Sequence, residues 1–256
     1  MIFDTHAHYN DQAFDEDREK LIQSLPENGI GLVVNIGADL ESTAESVKLA
    51  ETYSYFYASV GVHPSDSAEL SDENLAWLKE CTNRKKVVAV GEIGLDYYWD
   101  EPDRNTQKIW FERQMEMARE VNLPMIIHSR DAAKDTLDMM KAAGARETGG
   151  VIHCFSYGVE MAREFLNMGF YLGIGGVLTF KNAKKLKEVA EYAPLDRIVL
   201  ETDCPYLSPV PFRGKRNSSL NLPYVAEAIS QLKGITKQKV IEITNENARK
   251  LYRLGQ

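Results

Sequence analysis

Met1-Ile-Phe-Asp-Thr-His-Ala-His8 opens the chain, and the reading of every later segment turns on it. A short apolar run ending in His-x-His has the length of a strand. Because side chains alternate across a strand, Asp4, His6 and His8 face the same way. Two imidazoles on one face suit a divalent cation, although two surface histidines near a terminus give the same pattern. Where the other candidate ligands fall decides between the two.

Working outward, seven more strand-like runs follow. The sequence predicts strands over 31–37, 55–62, 86–92, 124–128, 150–155, 170–175 and 197–203. Helical patterns cover 15–25, 43–52, 71–83, 106–121, 131–143, 158–168, 181–191, 222–232 and 237–254. Their ends carry the expected signals: Pro26 and Gly29 stop the first, Ser71 caps the third with Asp72 and Glu73 in its first turn, and Gly144 closes the fifth. Trp110, Phe111, Met115 and Ala118 make the apolar stripe of the fourth, 106–121. Eight strands, most followed by a helix, predict an α/β fold of the (β/α)8 TIM barrel type, with a doubly wound open sheet as the alternative.

No Pro/Gly/Ser-rich linker or composition shift divides the 256 residues, so 1–256 reads as a single domain. No apolar run approaches the roughly 18 residues of a membrane span, and Asp4 and His6 arrive before any signal-type apolar segment. A cytoplasmic protein with no membrane partner is expected. Cys81, Cys154 and Cys204 show no C-x-x-C spacing, which agrees with a reducing compartment. A formal net charge of −8 argues against a surface that grips nucleic acid non-specifically, but not against a nucleic-acid substrate held at one cation-rich site.

The five histidines settle the opening question. His6 and His8 end the first predicted strand, His63 the third, His128 the fifth and His153 the sixth, while Glu92 and Asp203 end the fourth and eighth. In a barrel those ends converge on one face. His6, His8, Glu92, His128, His153 and Asp203 therefore form a candidate metal cluster. Six ligands exceed what one tetrahedral ion with an open position takes, and a carboxylate such as Glu92 can bridge two ions where an imidazole cannot.

The blocks Asp4-Thr-His6-Ala-His8, Gly61-Val-His63-Pro64, Gly91-Glu92-Ile-Gly-Leu-Asp96-Tyr, His128-Ser-Arg130, His153-Cys-Phe-Ser156, Glu201-Thr-Asp203-Cys-Pro-Tyr-Leu, Arg213-Gly-Lys-Arg-Asn217 and Thr244-Asn-Glu-Asn247-Ala run the length of the chain in order. Together they resemble the TatD family of metal-dependent deoxyribonucleases, which belongs to the amidohydrolase-like TIM barrels. The resemblance implies a single metal-dependent hydrolase domain with two divalent ions (Mg, Mn or Zn), and 3′ to 5′ exonuclease action on DNA, at a single strand or an end. It implies His6, His8 and Asp203 on one ion, His128 and His153 on the other, and Glu92 between them. The chemistry agrees: two cations acidify a water, and Asp203 beside it, with Glu92, orients that water and takes its proton. The chain departs from the family where Ser218-Ser-Leu-Asn-Leu222 intervenes before Pro223, after the Asn matched by Asn217.

Neighbouring residues carry paired readings. Arg130 clamps a phosphate or pairs with a carboxylate near Asp131 or Glu92. His63 contacts substrate, supports a ligand or serves structure. Asp96 lies beside the substrate or behind a ligand, while Glu201 ligates, supports a ligand or meets a buried lysine. Arg213, with Lys215 and Arg216, places positive charge for a phosphate-bearing strand or a solvated loop. Lys181, Lys184, Lys185 and Lys187 make a solvated face. Alternation turns Cys154 and Cys204 away from the ligands beside them. Tyr97, Tyr98 and Trp99 pack under a loop, with base stacking as the alternative.

Three functions compete. The first is a DNA phosphodiesterase. The second is an amidohydrolase-type enzyme acting on an amide, ester or lactone, or phosphotriester; its relatives often bridge metals with a carboxylated lysine, whereas Glu92 ends the fourth strand here and Lys85 and Lys86 precede it. The third, a non-catalytic metal-binding scaffold, has no need of Asp203, Arg130 and the basic loop on one face.

Overall fold

The predicted strands all pair in parallel, in chain order, within one eight-stranded sheet of the computed structural model, which describes residues 1–99 and 101–255. They are β1 (Ile2–Ala7), β2 (Ile30–Asn35), β3 (Phe56–Val60), β4 (Val87–Asp96), β5 (Met125–Arg130), β6 (Gly150–Ile152), β7 (Tyr171–Ile174) and β8 (Ile198–Leu200). Helices α1 (Arg18–Ser24), α2 (Leu40–Thr52), α3 (Asp72–Cys81), α4 (Arg104–Glu120), α5 (Ala133–Ala142), α6 (Val159–Asn167) and α7 (Lys184–Tyr192) form the crossovers, and α8 (Leu222–Lys233) and α9 (Lys237–Leu251) follow β8. The segment after β8 returns to β1: Asp203 N donates to His6 O at 2.9 Å, His8 N to Cys204 O at 2.9 Å, and Ala7 bridges Cys204. The sheet thus closes into the expected barrel rather than the open alternative.

Alternation splits the strands between two apolar layers. Val34, Val88, Ile126, Val151 and Val199 cluster inside the barrel with Phe3 and the end of α9, whereas Val33, Val87, Met125, Ile152 and Ile198 pack with the helices. His128, His153 and Glu201 stand two residues beyond Ile126, Val151 and Val199, so the interior parity carries them onto the barrel axis. No helix among the described residues is long and apolar enough to cross a membrane.

Several strands end elsewhere than the sequence predicts, β4 and β8 among them. β4 runs ten residues, to Asp96, so Glu92 lies inside it and not at its end. Past Glu92, Ile93 and Leu95 are fully buried and pair with Ile127 and Ser129 of β5. Gly94, at φ +153°, permits that contact, since a Cβ there would come 1.9 Å from His128 O. β8 stops at Leu200, because Asp203 takes φ +56° as the backbone crosses to β1.

Candidate metal centre

Glu92, 4% exposed, is the hub of the carboxyl-end face, and its two oxygens divide the histidines. Oε2 lies 3.3 Å from His6 Nε2 and 4.0 Å from His8 Nε2. Oε1 lies 2.8 Å from His128 Nδ1, 3.5 Å from His153 Nε2 and 3.9 Å from His63 Nε2. Asp203 Oδ1 joins the first group, 3.4 Å from His8 Nε2 and 3.6 Å from His6 Nε2, and reaches His153 Nε2 at 3.8 Å. All six predicted ligands are thus brought together.

The donors fit divalent cations. The Nε2 atoms of His6 and His8 stand 3.1 Å apart, and the His6 and His153 rings stack with centroids at 3.5 Å. His6, His8 and Asp203 offer ligand atoms that all lie within 4.8 Å of one another, and so do His63, Glu92 and His128. Imidazole nitrogens crowded against shared carboxylate oxygens form a set that a cation can satisfy at once. Buried His6 Nδ1 has no hydrogen-bond partner among the described residues.

Behind this layer sits a polar one that fixes ring orientation. Glu201, 1% exposed, meets His153 Nδ1 at 3.3 Å through Oε2 and accepts from Cys154 N at 2.6 Å through Oε1. It lies against Gly173, where a Cβ would come 2.2 Å from Oε2, and it supports a ring where the sequence also allowed a buried lysine as its partner. Asp96, expected beside substrate or behind a ligand, is 3% exposed; Oδ2 lies 3.1 Å from His128 Nε2 and Oδ1 accepts from Tyr98 N at 2.9 Å. Asp4 is wholly buried and accepts from His6 N, Thr202 N, Thr202 Oγ1 and Ser219 Oγ at 3.3, 3.1, 2.7 and 2.6 Å. It ties the first ligand strand to the segment bearing Asp203.

Charge follows geometry. Burial pushes the Glu92 carboxyl up, but His153 and His6, with hydrogen bonds from His128 and His6, outweigh it and hold the group well below the usual carboxylate range. Asp203 is lowered too, its burial overcome chiefly by His8 and His153. Burial works against a charged His153, yet Glu201 and Glu92 push its pKa up to about 10. Burial and His128 instead push His63 down to about 3, leaving it a neutral donor or acceptor. Two ionised carboxylates demand positive charge here, and protonated imidazoles or cations supply it.

The remaining predicted residues separate. Nδ1 of His63 lies 2.7 Å from Ser65 Oγ, and its Nε2 faces the cluster. Arg130 is exposed, lies 3.8 Å from the Tyr98 ring centroid and makes no ion pair among the described residues, so the carboxylate-pair reading fails. Arg213 lies over the Phe180 ring at 4.4 Å. Arg216 instead pairs with Asp17 at 2.6 Å and donates to Ala13 O, pinning the loop after β8 to the segment before α1. Lys181, Lys184 and Lys185 are exposed, as a solvated face requires, whereas Lys187 is half-buried. Cys204 is buried, but Cys154 shares the site with His153 and Asp203, against expectation: β6 ends at Ile152, and φ +45° at Cys154 breaks the alternation. Tyr97 packs, whereas Tyr98 and Trp99 are 54% and 66% exposed, against the packing expected for them.

Sequence reading passed over Gln107, Gln114 and Ser219. Gln107 bonds both N and O of Asp96, and Gln114 both N and O of Val62, which precedes His63. Their signal was available: two amides seven residues apart on the apolar stripe of α4. Ser219, within the 218–222 departure, sits in a 3-10 turn (Ser219–Asn221) leading into α8 and donates to Asp4.

Comparison with known proteins follows the same lines. The model of one protein family, described as TatD related DNase, matches residues 3–253. An uncharacterized metal-dependent hydrolase of Bacillus subtilis, YabD, is 46% identical over 255 residues, covering 100% of both chains. The crystal structure of YjjV, a TatD homolog from Escherichia coli K12, superposes with a TM-score of 0.93 at 30% identity, covering 99% of this chain and 98% of that one. A TatD family hydrolase from Entamoeba histolytica gives 0.88 at 25% identity, covering 98% and 97%.

Proposed function

The chain belongs to the TatD family of related DNases, metal-dependent hydrolases, and on that premise we propose that it hydrolyses phosphodiester bonds of DNA, trimming a single strand or a strand end from 3′ to 5′. The observation that carries this reading is the division of histidines between the two Glu92 oxygens, His6 and His8 on one, His128 and His153, with the more distant His63, on the other. We assign His6, His8 and Asp203 to one divalent ion, His128 and His153 to a second, and Glu92 to both. The imidazole-rich set suits Zn or Mn better than Mg by ligand softness.

Such a pair of ions, when bound, would supply an acidified water and neutralise charge on phosphoryl oxygens. The chain's own residues do the rest. Asp203, held ionised and 19% exposed at its side chain, orients the attacking water and takes its proton as oxygen bonds to phosphorus and the bond to the departing sugar oxygen breaks, that oxygen taking a proton from solvent to leave as the hydroxyl. Arg130, with its donor edge free of carboxylates, clamps a phosphate; Arg213 extends positive charge across the face, and His63 Nε2 donates to substrate. A glutamate, Glu92, and not a lysine lies between the two groups of histidines, which favours phosphodiesters over the amide, lactone or phosphotriester reading.

The test is incubation of an end-labelled oligodeoxynucleotide with the full chain and Mg²⁺ or Mn²⁺. The wild type should shorten it, and Asp203→Asn should slow cleavage by about 10²–10⁴-fold while keeping the fold. Hydrolysis of lactones or amides with no nucleolysis under any metal would overturn the proposal.

A further inference from the structure

Outward from the metal centre, the carboxyl ends of β4 and β5 carry an aromatic step that the chemistry above does not use. Asp96 links the two: one oxygen faces His128, and the other holds the backbone of Tyr98. Tyr97 turns inward, its hydroxyl donating to Asp135 at 2.8 Å, so the next two side chains project to solvent. Tyr98 and Trp99 meet edge to face, with centroids 4.9 Å apart and planes at 89°. Arg130, two residues beyond His128 on β5, lies over the other part of this step, 3.8 Å from the Tyr98 ring centroid.

Two large exposed rings are unusual enough to need an explanation when they adjoin a reactive cluster. The order His128, Arg130, Tyr98, Trp99 runs from the cluster to the rim. A guanidinium lying over a ring leaves its N–H edge free, the edge that forks onto phosphate. A ring beyond a phosphate clamp matches the repeat of a nucleic-acid strand, phosphate then base. Bases in a duplex have their faces covered by their neighbours, whereas an unpaired strand can lay a base on an aromatic side chain.

We propose that Tyr98 and Trp99 form a stacking platform for an unpaired base of single-stranded DNA whose phosphate Arg130 holds, fixing the strand as it leaves the metal centre. The inference rests on the phosphodiesterase reading and deepens it: the step selects single strands and frayed ends, with little sequence preference, because every base has a stacking face.

The test compares two substrates and one binding signal. Trp99→Ala and Tyr98→Ala should each raise KM for a single-stranded oligodeoxynucleotide by about 5- to 100-fold with little change in kcat, the range measured for losing one base stack. Hydrolysis of an abasic deoxyribose-phosphate oligomer, which has neither base nor aromatic ring, should stay unchanged in Trp99→Ala, and Trp99→Phe should restore the oligonucleotide KM. A 2-aminopurine in the oligonucleotide should be quenched by wild type and not by Trp99→Ala. An unchanged oligonucleotide KM in both alanine variants, or equal losses on both substrates, overturns the platform. If wild type hydrolyses neither substrate yet quenches 2-aminopurine through Trp99, the platform stands and the phosphodiesterase reading falls. If it hydrolyses the abasic oligomer but gives no quenching, the platform falls alone.

Discussion

Asp4 shows how much of the site lies one layer behind the candidate ligands. Its carboxylate receives four donors from β1, the crossing segment after β8 and the turn before α8, and so fixes where His6 and Asp203 stand relative to each other. Burial raises its pKa from 3.8 to about 7, against the hydrogen bonds from Ser219 and Thr202. The folded value lies above the unfolded one, so this group's contribution to stability is full below pH 4 and is lost as pH rises through 7. Asp4→Asn, which stays neutral, should remove that component. Denaturant titrations of metal-free protein should show wild type losing stability relative to the variant between pH 4 and 7, and parallel curves would refute the assignment. The clustering of the candidate ligands was legible because histidines are few and all fall, with Glu92 and Asp203, near predicted strand ends. Ser219 was not, because a serine in a turn has no local mark until the fold brings it 2.6 Å from Asp4.

At the level of elements, β4 and β5 do most to place the cluster. Eight strands and their helices were readable from period and caps, since buried parallel strands are short apolar runs between helical patterns. The ends of β4, β6 and β8 were not, because tertiary pairing extends or cuts a strand independently of its own composition. Gly91 and Gly94 look like breakers in isolation, yet they let β4 continue past Glu92 against β5. Cys154 and Asp203 leave the strand conformation at positive φ, and a two-residue alternation argument fails there. Gly94→Ala tests the close approach. The added Cβ meets backbone at His128, not a flexible side chain, so the variant should lose about 2–4 kcal/mol. It should also weaken metal binding through displaced His128. Calorimetry of metal titration into the folded variant checks this, and unaltered affinity and stability would show that β5 is not positioned by that contact.

Across the whole molecule, closure of β8 onto β1 brings residues from the two ends of the chain onto one carboxylate. His6 and Asp203 are 197 positions apart in sequence, and Glu92 reaches both halves of the cluster. A barrel gives this convergence without any local motif, which is why a weak His-x-His at the N-terminus becomes informative once the other strands are placed. The central claim is that this convergence holds two divalent ions bridged by Glu92. Anomalous diffraction from crystals grown with saturating Mn²⁺ tests it most directly. Two peaks should flank Glu92, one contacting His6, His8 and Asp203, the other His128 and His153; one peak only, or peaks away from Glu92, would contradict it.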